Sequence, residues 1–177
     1  MVDNLEVHLY DYESICYHGH TQKIINNILK KRTFNSSKKE WEWLGDGVYF
    51  FEKYYSHARN WCEKARRYNN WSIIKVNIKT IKMLDMIDPD NFDELKKFTS
   101  KIRDRYRELG GIRKVNTKLI FNMAYSKEKY DAVRHAFSVG KHKECIDPTK
   151  MEKMEIQVCV RNQECIFILE EVVNNEC

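Results

Sequence analysis

At 177 residues the chain is long enough for one well-formed core and short for two, so a single domain over residues 1–177 is expected. A hydrophobic content of 42% with 12% aromatic residues excludes an intrinsically disordered chain, and no apolar run approaches membrane-spanning length. The net charge of +5 is a mild basic bias, compatible with a nucleic-acid partner without requiring one.

Ser14-Ile15-Cys16-Tyr17 reads as a short strand delivering His18 at its tip, and Gly19 follows where the backbone can approach a ligand. Thr21 stands where it can cap a helix with the apolar stripe Ile24, Ile25, Ile28 and Leu29, and Lys30, Lys31 and Arg32 lie at the end that favours cations. A polar loop from Asn35 to Lys39 then leads to Trp41-Glu42-Trp43-Leu44-Gly45-Asp46-Gly47-Val48-Tyr49-Phe50-Phe51-Glu52. Two glycines flanking an aspartate permit a tight turn beside a ligand, and Val48 to Phe51 has the composition of a buried strand that presents Tyr49 at a fixed place. This stretch and Tyr17-His18-Gly19 suggest two walls of one pocket.

A helix from about Ser56 to Tyr68 should bury Ala58, Trp61, Cys62 and Ala65. Trp71 to Ile78 reads as a strand and Lys82 to Ile87 as a further short one, before Asp88-Pro89 breaks the chain. A long helix, roughly Asn91 to Leu109, turns Phe92, Leu95, Phe98, Ile102, Tyr106 and Leu109 inward and stops at Gly110-Gly111. A helix over Thr117 to Tyr125, a strand over Tyr130 to Arg134, a loop from Gly140 to Lys150 and strands near Met154 to Val160 and Cys165 to Val173 complete the pattern. Helices dominate the first two thirds and strands the last third, which gives an α+β class.

Six cysteines, at 16, 62, 145, 159, 165 and 177, form no Cys-x-x-Cys pair and have no histidine at metal-ligand spacing. They read as reduced, mostly buried thiols of a cytoplasmic protein without a metal. The start Val2-Asp3-Asn4-Leu5-Glu6 has neither the cationic beginning nor the apolar run of a signal peptide, so no membrane partner is expected.

Tyr17-His18-Gly19, then Leu44 to Phe51, then a helix carrying Ala58 and Trp61, then Ile156-Gln157-Val158 on a late strand, resemble in this order the histidine-tyrosine branch of the ADP-ribosyltransferases. That branch includes diphtheria-type toxins, poly-ADP-ribose polymerases and small bacterial and phage proteins. The resemblance covers nearly the whole chain, although its motifs are short. It implies an ADP-ribosyltransferase-like split, mostly antiparallel β core with flanking helices, holding NAD as substrate in a cleft without a Rossmann fingerprint. By resemblance, His18 bonds the ribose next to nicotinamide, the Gly19 backbone pairs with the carboxamide, and Tyr49 stacks on the nicotinamide ring. Tyr17, Thr21, Gly47 and Phe51 complete the NAD contacts.

The strongest transferases of this branch place a glutamate at the third position, on a late strand, whereas this chain offers Gln157, with Glu155 two residues earlier on the same strand face. A glutamine can orient a hydroxyl but supplies neither charge nor proton acceptance. Gln157 is then the positioning residue and Glu155 the group that activates the acceptor; the reverse assignment, or an acceptor needing no base, stays open.

The long helix carries Lys96, Lys97, Lys101, Arg103 and Arg107 outward. This is either a solvated face or, together with Arg66 and Arg67, a phosphate-contacting surface bringing RNA or DNA to the cleft, with Tyr68, Trp71 and Tyr106 near enough in sequence to stack on bases. A protein side chain is the other acceptor class. The expected activity is mono-ADP-ribosyl transfer from NAD to a macromolecule with release of nicotinamide, as a toxin or defence effector with an antitoxin partner. The alternative is a non-catalytic module of the same fold that binds NAD, ADP-ribose or nucleic acid. A third reading, RNA 2′-phosphate transfer onto NAD, calls for several arginines and a histidine lining the cleft; Arg134 and Arg161 are available, at a spacing that matches no known pattern. Beside these stand plainer roles: His18 as a structural histidine, Tyr49 as core, Glu155 and Gln157 as a solvent face, and His20 and His57 as surface residues.

Overall fold

The two longest strands, β1 (Leu9–Thr21) and β3 (Trp71–Asp85), pair antiparallel along almost their whole length in a computed structural model that describes residues 5–110, 115–139 and 153–172. Between them come α1 (Gln22–Lys31), β2 (Val48–Glu52) and α2 (Tyr55–Asn60), the last running into a π-helical turn, Trp61–Ala65. After β3 come α3 (Pro89–Glu108), α4 (Thr117–Lys127), β4 (Ala132–Val139), β5 (Lys153–Val160) and, past a short 3₁₀ turn, β6 (Ile166–Val172). The class is α+β, as composition and pattern indicated.

The second edge of β3 is divided between two partners. Ile73 to Ile78 pair antiparallel with β6, and Met83 to Asp85 pair parallel with β4. β4 pairs with β5, β5 with β2, and β2 with β1, each antiparallel, so the order β1-β2-β5-β4-β3 returns to β1 and closes five strands into a mixed barrel, with β6 added outside. The split, mostly antiparallel core expected above is therefore corrected to a closed, mixed one. The cause lies in β3, which is one strand of 15 residues and not two short ones. At its middle the Thr80 hydroxyl accepts the Lys82 N–H at 2.9 Å and donates to Asp131 at 2.6 Å, so the backbone bends without losing its polar partners.

Strict alternation divides the side chains between two faces. Val48, Phe50, Val76, Ile78, Val158 and Val160 fill the barrel, which Ile25 and Ile28 of α1 and Phe34 cover. On the outer face Leu84, Val133 and Cys159 pack beneath Leu95, Phe98 and Ile102 of α3 and Ile120, Phe121 and Ala124 of α4. A smaller cluster of Phe51, Ala58 and Ile73 takes in Tyr17, Tyr55 and Trp71.

Several sequence expectations change in detail. His18 is not at a strand tip, because β1 continues to Thr21. Trp61 and Ala65 are exposed, because the helix widens at Trp61, whose carbonyl accepts from the Arg66 N–H five residues on, and this rotates both side chains out. Phe92 and Leu109 of the long helix are also exposed; Phe92 lies against the His135 ring, 6.4 Å between centroids, at the margin of the core. Cys16, Cys62, Cys159 and Cys165 are free and buried, while Cys145, Cys177, Gly111 and the loop from Gly140 to Lys150 lie outside the described residues. No helix among the described residues is long and apolar enough to cross a membrane.

One end of the barrel holds a buried charge cluster. The Arg134 guanidinium bonds Asp85 at 2.8 Å and stands 3.3 Å from Glu52, whose side chain is almost fully buried, with the Tyr12 ring 5.7 Å away. Arg134→Met should cost about 3–5 kcal/mol of stability, because Glu52 is left buried without its countercharge. Pairing it with Glu52→Gln should recover part of that loss, measured by urea unfolding.

Candidate functional site

Beyond Tyr17, β1 keeps β3 as its neighbour on one edge but loses β2 on the other, since the β1–β2 ladder contains only Cys16 opposite Glu52 and Tyr17 opposite Phe51. The two strands part there and a cleft of about 950 Å³ opens between them. Its walls include His18 and Gly19 of β1, Gly47, Tyr49 and Phe51 around β2, and Glu155 and Gln157 of β5. Sequence positions separated by more than a hundred residues thus share one concavity.

His18 takes the place of the missing ladder. Its Nδ1–H donates to the Tyr49 carbonyl at 2.8 Å, and its ring lies edge-on to Phe34 at 5.4 Å and tilted against Phe50 at 5.5 Å. Burial pushes the imidazole down to about 4, against a smaller upward pull from the Tyr49 carbonyl. The ring is neutral at neutral pH, with the proton fixed on Nδ1 and a lone pair on Nε2.

Tyr49 is anchored by the turn before it. Its hydroxyl donates to the Gly45 carbonyl at 2.8 Å and accepts from the Leu44 N–H at 3.0 Å, and burial raises its pKa, so it stays a phenol. Tyr49 lines the cleft with its hydroxyl already committed to this turn. Gln157, between Phe51 on β2 and His135 on β4, donates from Nε2 to the Glu155 carboxylate at 2.5 Å. The cleft therefore combines a neutral acceptor nitrogen, an aromatic wall and a carboxylate held by a neighbouring amide.

The glycines have packing reasons. Gly45 has φ +87°, and a Cβ on Gly47 or Gly19 would lie 2.4 Å from the Cys159 Sγ or 2.5 Å from the Cys62 Sγ. The Gly-Asp-Gly turn is fastened to α4: the Asp46 N–H donates to Asn122 at 2.9 Å and its carboxylate lies 3.0 Å from Lys118. Burial works against that carboxylate's charge, but Lys118 outweighs it and holds the group below its usual range.

Tyr17 and Thr21 do not line the cleft. Tyr17 packs edge-on against Tyr55, 6.0 Å between centroids, and the Thr21 N–H donates to His20 Nδ1 at 2.8 Å, while its hydroxyl makes no helix cap. His20 and His57, read as surface residues, do line it, and His20 stacks on Tyr68 at 5.2 Å. Trp71 and Tyr106 pack into hydrophobic clusters instead of lying beside the cations.

None of the five cations proposed on the long helix reaches the cleft. Lys97 pairs with Glu94 at 2.6 Å and Arg107 with Asp104 at 2.8 Å, while Lys96, Arg103 and Arg107 border a separate shallow groove beside Phe92 and Thr99; Lys101 lines neither cavity. Arg134 lies inside the barrel. Arg161 bonds Asn122 at 3.0 Å and lies 4.5 Å over Tyr125, so neither arginine stands in the cleft. Among the described residues no cluster of three or more histidine, cysteine, aspartate or glutamate side chains is placed to hold a metal.

Sequence reasoning gave no role to Trp41, Trp43 and Phe137, which form one lip of the cleft. The signal was a Trp-x-Trp pair on a polar loop, belonging to no apolar stripe.

The chain is 28% identical over 182 aligned positions to an uncharacterized protein of Methanocaldococcus jannaschii, covering 87% of this chain and 85% of that one. No protein-family profile and no solved structure matches it.

The depressed His18 pKa has a consequence for stability. Above about 6.5 the ring is neutral both folded and unfolded; as the pH falls from there toward about 4 the unfolded chain takes up a proton that the folded one refuses, and stability falls. His18→Gln should flatten the thermal-midpoint profile between pH 7.5 and 4.5 relative to the parent chain. An unchanged slope would place the ring in water.

Proposed function

We propose that the chain is a mono-ADP-ribosyltransferase of the histidine-tyrosine type, with an ADP-ribosyltransferase-like fold, which transfers ADP-ribose from NAD to a macromolecular acceptor and releases nicotinamide. The observation that carries this reading is the convergence of His18, Tyr49, Gln157 and Glu155 on one cleft of a size suited to a cofactor-sized ligand. The order of the motifs in the sequence adds to it.

In this reading the C1′–nicotinamide bond breaks with its electron pair leaving on neutral nicotinamide, and the ribose acquires oxocarbenium character. The acceptor's nucleophile then bonds C1′ and its proton passes to Glu155. His18 Nε2, unprotonated, accepts from a ribose hydroxyl and orients the sugar. The Tyr49 ring face holds the nicotinamide, since its hydroxyl is already committed to the turn. Gln157 holds the Glu155 carboxylate in place. The likeness to small bacterial and phage members supports a role as a toxin or defence effector countered by an inhibitor protein.

One observation favours a second reading, a non-catalytic NAD or ADP-ribose binder: the third motif position holds an amide, not a carboxylate. Nicotinamide release from labelled NAD in cell extract separates the two. The transferase should release nicotinamide and label an acceptor; Glu155→Gln should slow transfer about 10²–10⁴-fold, and His18→Ala should lose most NAD-dependent labelling. A chain that binds NAD but releases nothing, with Glu155→Gln indistinguishable from the parent, is a binder.

A further inference from the structure

We infer that the loop lip of the cleft is a stacking platform for an unpaired polynucleotide strand. Trp41 and Trp43 are 64% and 53% exposed, and both face the same cleft although they lie two residues apart on one loop. Indoles this exposed forgo the burial that drives aromatic residues inward, and each offers a ring face to a flat partner. The Lys39 ammonium lies 5.5 Å from the centroid of the Trp41 ring, so a flexible cation stands beside the indole, able to turn to the phosphate of a base stacked there.

Charge decides between an aromatic peptide and a nucleic acid. The cations of this cleft, Lys39, Lys64 and Arg66, are in no ion pair among the described residues; Arg66 donates to the Tyr68 hydroxyl at 3.3 Å and lies 5.5 Å over Trp61. The cleft's acids are both engaged: Glu42 accepts from the Ser37 hydroxyl at 2.5 Å and Glu155 from Gln157. On the long helix, by contrast, Lys97 and Arg107 are paired with acids. Cations outside ion pairs and lying beside exposed rings fit phosphates beside bases. Ring faces and ammonium groups read no base edge, so binding is indifferent to sequence and requires unstacked bases.

The platform adjoins the reacting groups. The Trp43 ring lies 4.9 Å from the Phe137 ring, and Phe137 on β4 is the register partner of Glu155 on β5. A base held there lies beside that carboxylate. That this strand is the acceptor rests on the transferase reading; that it binds does not.

The test is fluorescence anisotropy of the full chain with labelled mixed-sequence 12-mers of RNA and DNA, single-stranded and duplex, without NAD. Both single strands should bind, quench tryptophan fluorescence, and exceed the duplexes about ten-fold or more in affinity. Trp41→Ala and Trp43→Ala should each weaken binding about ten-fold, with far-ultraviolet circular dichroism verifying the fold. Lys39→Ala should lower the salt slope by about 0.7. Lys96→Glu/Arg103→Glu on the long helix should change nothing. No single-strand binding, equal duplex binding, indifference to both tryptophan variants, or loss in the long-helix variant overturns the platform. Nicotinamide release is read separately: oligonucleotide binding without it sinks the transferase reading and keeps the platform, whereas release without oligonucleotide binding points to a protein acceptor.

Discussion

Beyond Tyr17 the first strand has a backbone neighbour on one side only, and the site exists because of that. Backbone groups on a strand edge need partners, and a barrel normally supplies them from the next strand. Here the ladder between β1 and β2 is abandoned after two residue pairs, while β1 stays fully laddered to β3 and β2 to β5. The edges of the cleft are therefore held rigidly from behind. The Tyr49 carbonyl receives the His18 ring nitrogen in place of a backbone N–H. One side chain thus props open a gap in a closed sheet and lines it.

Close packing of the walls follows from the same arrangement. Gly19 lets β1 lie against Cys62 and the Ala58 carbonyl, and Gly47 lets the turn lie against Cys159 and the Val160 carbonyl. At either position a methyl group would push a wall away from its support. These glycines read from sequence as places where a ligand meets the backbone, yet protein atoms occupy the space a side chain would take. The helix and the turn that they admit are what bring Trp61 and Tyr49 to the rim.

What the sequence made legible depended on spacing along the strand. His18 and Tyr49 could be nominated because each stands beside glycines at the edge of an apolar strand, whereas Gln157 and Glu155 were nominated only by the family resemblance, strand alternation then putting both on one face. Closure of the sheet was not legible. It depends on β3 continuing through Thr80, where a hydroxyl supplies hydrogen bonds that propensity does not register, and on one strand edge serving two partners. The exposed Trp61 was missed because the 3.6-residue period fails where the helix widens. The lysines and arginines of α3 read as a surface for phosphate, but charge along a helix says nothing about which way that helix faces the cleft.

Under the transferase reading, an amide at Gln157 where the resembled family carries a glutamate acquires a physical sense from its neighbours. Two carboxylates at 155 and 157 would share one strand face, and like charges at that distance oppose each other's ionisation. An amide at 157 avoids that repulsion and donates to the Glu155 carboxylate, which lies one side-chain repeat away along β5, opposite Phe137 and near Trp43. His18, kept neutral by burial against Phe34 and Phe50, adds no positive charge to the cleft. Under the transferase reading the cleft's electrostatic asymmetry then runs from a neutral end that orients the sugar to a charged end that meets the acceptor. In that reading, a carboxylate at Glu155, beside the aromatic lip, would put proton acceptance where an incoming base arrives and away from the sugar.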